Sequence, residues 1–158
     1  MYIAGPNILE VNSLIKKIRL SSYGKYLRHL IKKNNLFDYI FFTGALSEEQ
    51  MCNQYLQSNV FVCPSSIENS PNSLGEAQLL GMPCIAAYVG GVPDMMDASE
   101  EWMYRFEEIE MLAEKICLAF KYVDESSLHN QRERALIRHN KQQNSQALLN
   151  IYQDILNK

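Results

Sequence analysis

Two carboxylates bracket a polar loop in the stretch CPSSIENSPNSLGE, residues 63 to 76. Seven residues lie between Glu68 and Glu76, and the interval is rich in Asn, Ser and Pro. Carboxylates accept hydrogen bonds from hydroxyls, and glycoside hydrolysis shows what a pair of them can do to a sugar. A second device lies between the two. Pro71 disfavours a helical conformation at Ser70, so a helix is predicted to begin near Asn72 or Ser73, with Ser70 or Asn72 as its cap. The first peptide N–H groups of a helix favour an anion such as phosphate. Hydroxyl acceptors beside an anion-binding helix end suit a ligand that carries both sugar and phosphate. The helix end would take the diphosphate, one glutamate the sugar hydroxyls and the other the ribose hydroxyls. A plainer assignment stays open: Glu76 complements the helix dipole and Glu68 is a solvated loop residue.

The elements around this loop must position it. Val60-Phe61-Val62 precedes it as a strand, and a helix from about Ser73 to Leu80 follows, stopped by Gly81 and Pro83. Elsewhere strand-like runs alternate with helical ones. Tyr2-Ile3-Ala4 is closed by the turn signal Gly5-Pro6. Tyr26, Leu27, Leu30 and Ile31 give helical spacing over Ser22 to Lys33. Tyr39-Ile40-Phe41-Phe42 reads as a strand ending at Thr43-Gly44. Ser47-Glu48-Glu49-Gln50 is a capping box for a helix reaching about Ser58. Cys84 to Ala87 is a strand, followed by the loop Gly90-Gly91-Val92-Pro93, in which Asp94 could cap a short helix. Trp102 to Phe106 reads as a short last strand, with Trp102 in a packing role. Ile109 to Val123 is helical, with Met111, Leu112, Ile116, Leu118, Ala119 and Tyr122 on its apolar stripe. Ser126 to Lys158 reads as a polar helical tail in which Leu148, Ile151, Tyr152 and Ile155 pack against something. Residues 7 to 21 carry no clear pattern. The apolar strands near residues 40, 61 and 85 suggest burial on both faces, hence a parallel α/β sheet with helices on both sides. Ligands bind at the carboxyl ends of such strands. The loops there are Gly44-Ala45-Leu46, Cys63 to Asn72 and Tyr88 to Pro93.

Composition narrows the function classes. The 158 residues suffice for one domain with its own core. The net charge of −3, with no dense Lys/Arg stripe, argues against a nucleic-acid backbone binder. The basic pairs Lys16-Lys17 and Lys32-Lys33 read as solvated helix faces, and His29, His129 and His139 as residues of polar helical stretches rather than bases. Cys52, Cys63, Cys84 and Cys117 form no Cys-x-x-Cys pair, so a zinc ribbon is not indicated. Three of the four lie in apolar runs and read as small buried hydrophobes, which fits reduced thiols and a cytoplasmic setting. No apolar run approaches the roughly 20 residues of a membrane span. MYIAGPN opens directly on a strand-like run, from which a fragment lacking its earlier part is expected.

The stretch from Phe41 to Met96 resembles the donor-binding domain of glycosyltransferase family 4, of the GT-B fold. The resemblance is carried by FFTGALSEEQM, YLQSNVFVCPSSIENSPNSLGEAQLLGMPCIAA and VGGVPDMM, and it extends more weakly over nearly the whole chain. A bare Glu-x7-Glu occurs by chance. Between VFVCPS and EAQLLGMPCIA, and followed by GG, the pair is specific to that family.

What the resemblance implies is a Rossmann-like, C-terminal half of a GT-B enzyme. Such enzymes transfer a sugar from a nucleoside diphosphate sugar to an acceptor hydroxyl, retain the anomeric configuration, and need no metal or other cofactor for the donor. Glu68 would contact the transferred sugar as the catalytic residue, and Glu76 would bind the ribose. The peptide groups of Asn72, Ser73 and Leu74 would lie near the sugar and diphosphate, and Gly44, Ala45 and Leu46 along the nucleobase. Gly90-Gly91 would let the backbone run close to its neighbours, although a plain tight turn fits there equally. Two departures qualify this. Many members have Gly-Phe-Gly after the first glutamate, where this chain has Asn69-Ser70-Pro71-Asn72, so sugar specificity does not carry over. The acceptor domain and the opening strand-loop with the family's Arg/Lys pair for the diphosphate are also missing, so the chain is expected to be inactive alone and to bind nucleotide weakly. The partners implied are the nucleotide sugar and the N-terminal acceptor domain, whose surface could touch a membrane peripherally. Polysaccharide or glycolipid synthesis is the expected setting. Two alternatives stay open: a sugar-nucleotide 2-epimerase, and a non-catalytic nucleotide-binding or assembly module.

Overall fold

The computed structural model describes residues 1–9, 21–97, 100–122 and 124–157. Lys16-Lys17, Val123 and Lys158 lie outside them. The chain is mixed α/β, with parallel strands and flanking helices, and it divides into two compact units, Met1–Cys52 and Asn53–Lys158.

In the first unit, β1 (Tyr2–Ala4) pairs in parallel with β2 (Phe41–Gly44). Tyr2 faces Phe41 across the pair, and their rings stack at 5.4 Å. The pair closes where Gly5 and Gly44 exchange backbone bonds of 3.2 and 3.1 Å. Helix α1 (Ser22–Lys33) is capped by the Ser21 hydroxyl, which accepts from the Gly24 amide at 3.1 Å. Its last turn exposes Lys32 and Lys33 at the carbonyl end, as the helix dipole favours. The predicted capping box forms in full. The Ser47 amide donates to Gln50 Oε1 at 2.9 Å, and the Gln50 amide donates to Ser47 Oγ at 3.3 Å. It opens α2 (Glu48–Leu56), which crosses the unit boundary and ends short of Ser58. The strand near residue 40 is not buried on both faces: Phe41 is 49% exposed, because β2 is paired with β1 alone among the described strands.

The second unit is built on a three-stranded parallel sheet of order β3-β4-β5, with β3 (Phe61–Cys63), β4 (Cys84–Ala87) and β5 (Met103–Tyr104). All four residues of the central β4 are buried, so double-sided burial holds for this strand. Ile85, Ala87, Tyr104 and Ala119 form a core against which Trp102, Leu112 and Ile116 pack. Beside the sheet lie α3 (Asn72–Leu79), the short α4 (Val92–Met95), α5 (Ile109–Lys121) and α6 (Glu125–Arg138), and α7 (Lys141–Leu156) follows with no buried residue. Gly81 ends α3 in the left-handed region, at φ +73°, as its sequence position predicts.

Four expectations change here. The last strand shrinks to Met103–Tyr104, since Trp102 ends a 3₁₀ turn and Phe106 is exposed. Asp94 lies inside α4, whose N-cap is Gly91. On α5 only Leu112, Ile116 and Ala119 reach the core, while Met111, Leu118 and Tyr122 are exposed. The tail is helical and forms as two helices, α6 and α7. Asn140 caps α7 by accepting from the Gln143 amide at 3.0 Å, and the Asn144 side chain donates to Arg138 O at 2.9 Å, so the break at His139-Asn140 satisfies its own backbone. Leu148, Ile151, Tyr152 and Ile155 do not pack: each is more than half exposed. No described helix is long and apolar enough to cross a membrane.

Two cysteines rather than three are buried. Cys63 and Cys84 are inside, whereas Cys52 and Cys117 are exposed. Cys117 follows the core-facing Ile116 by about 100° around α5 and so turns outward. Burial raises the pKa of both inner thiols, that of Cys84 to about 12. A higher pKa leaves less thiolate, the reactive form, at neutral pH. A thiol reagent at pH 8 is therefore expected to label Cys52 and Cys117 in the native protein, and Cys63 and Cys84 only after unfolding. Four fast-reacting thiols under native conditions would contradict the buried assignment.

Candidate functional site

Because β3 and β4 are parallel neighbours, the loops that leave their carboxyl ends share one edge of the sheet. The loop after β3 carries Glu68, and the loop after β4 carries Gly90 and Gly91. The two loops touch through their backbones. A Cβ on Gly90, at φ +51°, would lie 1.7 Å from the Glu68 carbonyl oxygen, and one on Gly91 would lie 2.1 Å from the Asn69 carbonyl oxygen. The glycine pair therefore allows a close approach that no side chain would permit, and it fixes the main chain at Glu68. Glu68 itself is half-buried.

Helix α3 begins immediately after this loop. Its N-cap is Pro71, not Ser70 or Asn72, and no side-chain oxygen caps it. The ring fixes φ at −66°, and the Pro71 carbonyl accepts from the amides of Leu74 at 3.1 Å and Gly75 at 3.3 Å. The Ser70 hydroxyl lies 3.8 Å from Met95 Sδ instead. Asn72 and Ser73 are exposed, while the Leu74 side chain is wholly buried, so Leu74 could meet a ligand only through its backbone. Glu76 follows on the exposed side of α3.

Sequence reasoning missed Tyr55. It is 7% exposed, and its phenol donates to Glu76 Oε2 at 3.1 Å while lying 3.3 Å from the Ser73 carbonyl oxygen. Its ring packs edge-on against Phe61 at 5.8 Å. Burial, and secondarily the Glu76 carboxylate, push the Tyr55 hydroxyl well above the usual tyrosine range, so it stays a donor. One signal could have found it: a tyrosine on a helix next to an apolar strand will be buried, and a buried phenol takes a partner.

The far end of α3 is braced from two sides. Gln78 is wholly buried, and its Nε2 donates to the Met95 carbonyl at 2.8 Å. Arg138 on α6 donates to Gln78 Oε1 at 2.9 Å and to the same Met95 carbonyl at 3.0 Å. The imidazole of His139, the C-cap residue of α6, lies against Gly75, where an added Cβ would be 2.6 Å from Nε2.

The second unit thus brings Glu68, Asn72, Ser73, Leu74, Glu76, Gly90 and Gly91 to one sheet edge. Gly44, Ala45 and Leu46 belong to the first unit, at the carboxyl end of β2. Among the described residues no group of three or more His, Cys, Asp or Glu side chains is placed to hold a metal ion. A cavity of about 470 Å³ lies at the other end of the sheet, lined by Pro83, Cys84, Trp102 and Lys121 among others. It lies at the amino ends of β4 and β5, away from the carboxylate loop and from the strand ends where ligands bind in such sheets.

Three comparisons bear on this geometry. A family model described as glycosyl transferases group 1 matches residues 3–138. A sulfoquinovosyl transferase from Arabidopsis thaliana is 37% identical over 60 residues, which is 38% of this chain and 12% of that protein. The solved structure of a sucrose-phosphate synthase from Thermosynechococcus elongatus matches with a TM-score of 0.74 at 24% identity, covering 86% of this chain and 35% of that one. The last likeness is one of fold, and the chain spans about a third or less of either protein.

Proposed function

Because the chain belongs to the glycosyl transferases group 1 family, we propose that its second unit holds a nucleoside diphosphate sugar for retaining transfer to an acceptor hydroxyl. In this assignment Glu68 contacts the transferred sugar, and Glu76 accepts from the ribose hydroxyls. The Asn72 and Ser73 amides, which open a helix without a side-chain cap, face the diphosphate. Leu74 contributes its backbone at most. The chain acts as the donor-binding part of a two-domain GT-B enzyme, with the acceptor side supplied by a separate domain.

One observation carries this reading. Gly90 and Gly91 seat the Glu68–Asn69 backbone directly before the uncapped start of α3. A solvated loop glutamate needs no such support, and a group that must meet a reacting sugar does.

The experiment is an NMR titration of the isotope-labelled chain with UDP, GDP, ADP and CMP. Amide shifts clustered at Glu68 to Glu76 for one nucleotide are the expected result, and they identify the base. The amides of Gly44 to Leu46 are followed in the same titration, since the resemblance assigns them to the nucleobase. Shifts confined to other surfaces would overturn the donor site. Glu76→Ala is expected to cost about 1.5–3 kcal/mol of nucleotide binding, the usual range for a charged hydrogen bond. Binding equal to that of the parent chain would remove the ribose role from Glu76.

A further inference from the structure

We infer that Tyr55 is the positioning residue for Glu76, holding its carboxylate in one rotamer for a vicinal diol. The inference rests on the ribose assignment above. Glu76 is an exposed side chain with three rotatable bonds, and left alone it samples several rotamers. Tyr55 is held on every side. It lies on α2, is almost fully buried, packs edge-on against Phe61 and keeps its hydroxyl near the Ser73 carbonyl. Its 3.1 Å bond to Glu76 Oε2 therefore ties a mobile group to a rigid one. One phenolic proton engages one carboxylate oxygen, so Oε1 and a lone pair of Oε2 are left for two hydroxyl donors. A cis-diol offers two such donors. The same hydroxyl lies 3.3 Å from the carbonyl of Ser73, in the first turn of α3, so the phenol sits against the helix start as well as the carboxylate.

Isothermal titration of the full 158-residue chain tests this. The tightest of UDP, GDP and ADP is compared with its 2′-deoxy counterpart, for the parent, Tyr55→Phe, Glu76→Gln and the double variant. Tyr55→Phe removes one oxygen from a packed ring. It is expected to weaken the ribonucleotide about five- to tenfold and to change the 2′-deoxy form by less than twofold. The double variant is expected to be no weaker than Glu76→Gln alone, because the two residues act as one unit. A purely structural role for Tyr55 would weaken both nucleotides alike and overturn the inference. If Glu76→Gln loses ribose discrimination while Tyr55→Phe keeps it, only the Tyr55 inference falls. If Glu76→Gln keeps discrimination, the ribose reading falls first. A ligand-free arm covers the case in which no nucleotide binds or Tyr55→Phe does not fold. The Hα–Hβ couplings of Glu76 in the parent chain are expected to report one rotamer, and averaged couplings there would overturn the inference.

Discussion

Replacing Gly90 with alanine is expected to destabilise the second unit by about 2–5 kcal/mol and to shift the backbone that carries Glu68. Two costs combine. An L-residue at φ +51° sits in the left-handed region, which costs roughly 1–2 kcal/mol. The added methyl would also fall 1.7 Å from the Glu68 carbonyl oxygen, a backbone atom that cannot swing aside as a side chain does. Overpacking of this kind costs roughly 1–3 kcal/mol more, with movement of the displaced chain. Gly81→Ala separates the two. Its φ of +73° gives the same strain, but the nearest atom to the new methyl is Arg132 Cδ at an ordinary 3.7 Å. Urea unfolding should therefore show Gly81→Ala lower by about 1–2 kcal/mol and Gly90→Ala lower still. Amide shifts should spread over Ile67 to Ser70 in Gly90→Ala alone. Equal losses in the two variants would mean that the loops do not touch as described.

What the sequence could show about this site follows from the range of each interaction. The strand before Glu68, the helix after Pro71 and the Gly81 stop are written in local chemistry within a few residues, and all three appear. The Ser47–Gln50 capping box is equally local and forms bond for bond. The contact of Gly90 with Glu68 spans more than twenty positions, and the GG pair alone left a plain tight turn equally open. Only the parallel register of β3 and β4 decides between them. Ser70 and Asn72 are good caps of α3 by type, yet Pro71 takes the position through its fixed φ and its carbonyl. Tyr55 escaped because nothing near it in sequence is acidic in the right direction. Its partner is twenty-one positions away. The exposed face of α7 escaped for a different reason: apolar periodicity says that a stripe exists, not that a partner lies within reach.

Arg138→Ala is the second large effect, expected at about 2–4 kcal/mol. The guanidinium makes two fork-like bonds, to Gln78 Oε1 at 2.9 Å and to the Met95 carbonyl at 3.0 Å. Hydrogen bonds from a charged donor are worth about 1.5–3 kcal/mol each, discounted here because Arg138 is itself only half-buried. Loss of Arg138 would leave the amide oxygen of a wholly buried Gln78 without that donor, which is the costly way to break a hydrogen bond. Arg138→Lys should recover less than half, since a single ammonium cannot reproduce a planar fork to two acceptors. In a double-mutant cycle with Gln78→Met, the coupling should be about 1–2 kcal/mol, because the two side chains share the Met95 carbonyl. The consequence reaches the site by a short route. Met95 ends α4, the helix that Gly91 caps, and Gly91 abuts Asn69 beside Glu68. Loosening Met95 should therefore move the same Ile67 to Ser70 amides that Gly90→Ala moves, though less. Urea unfolding measures the first effect and amide shifts the second. A stability loss with those amides unmoved would make Arg138 a brace for α3 alone, with no bearing on where Glu68 stands.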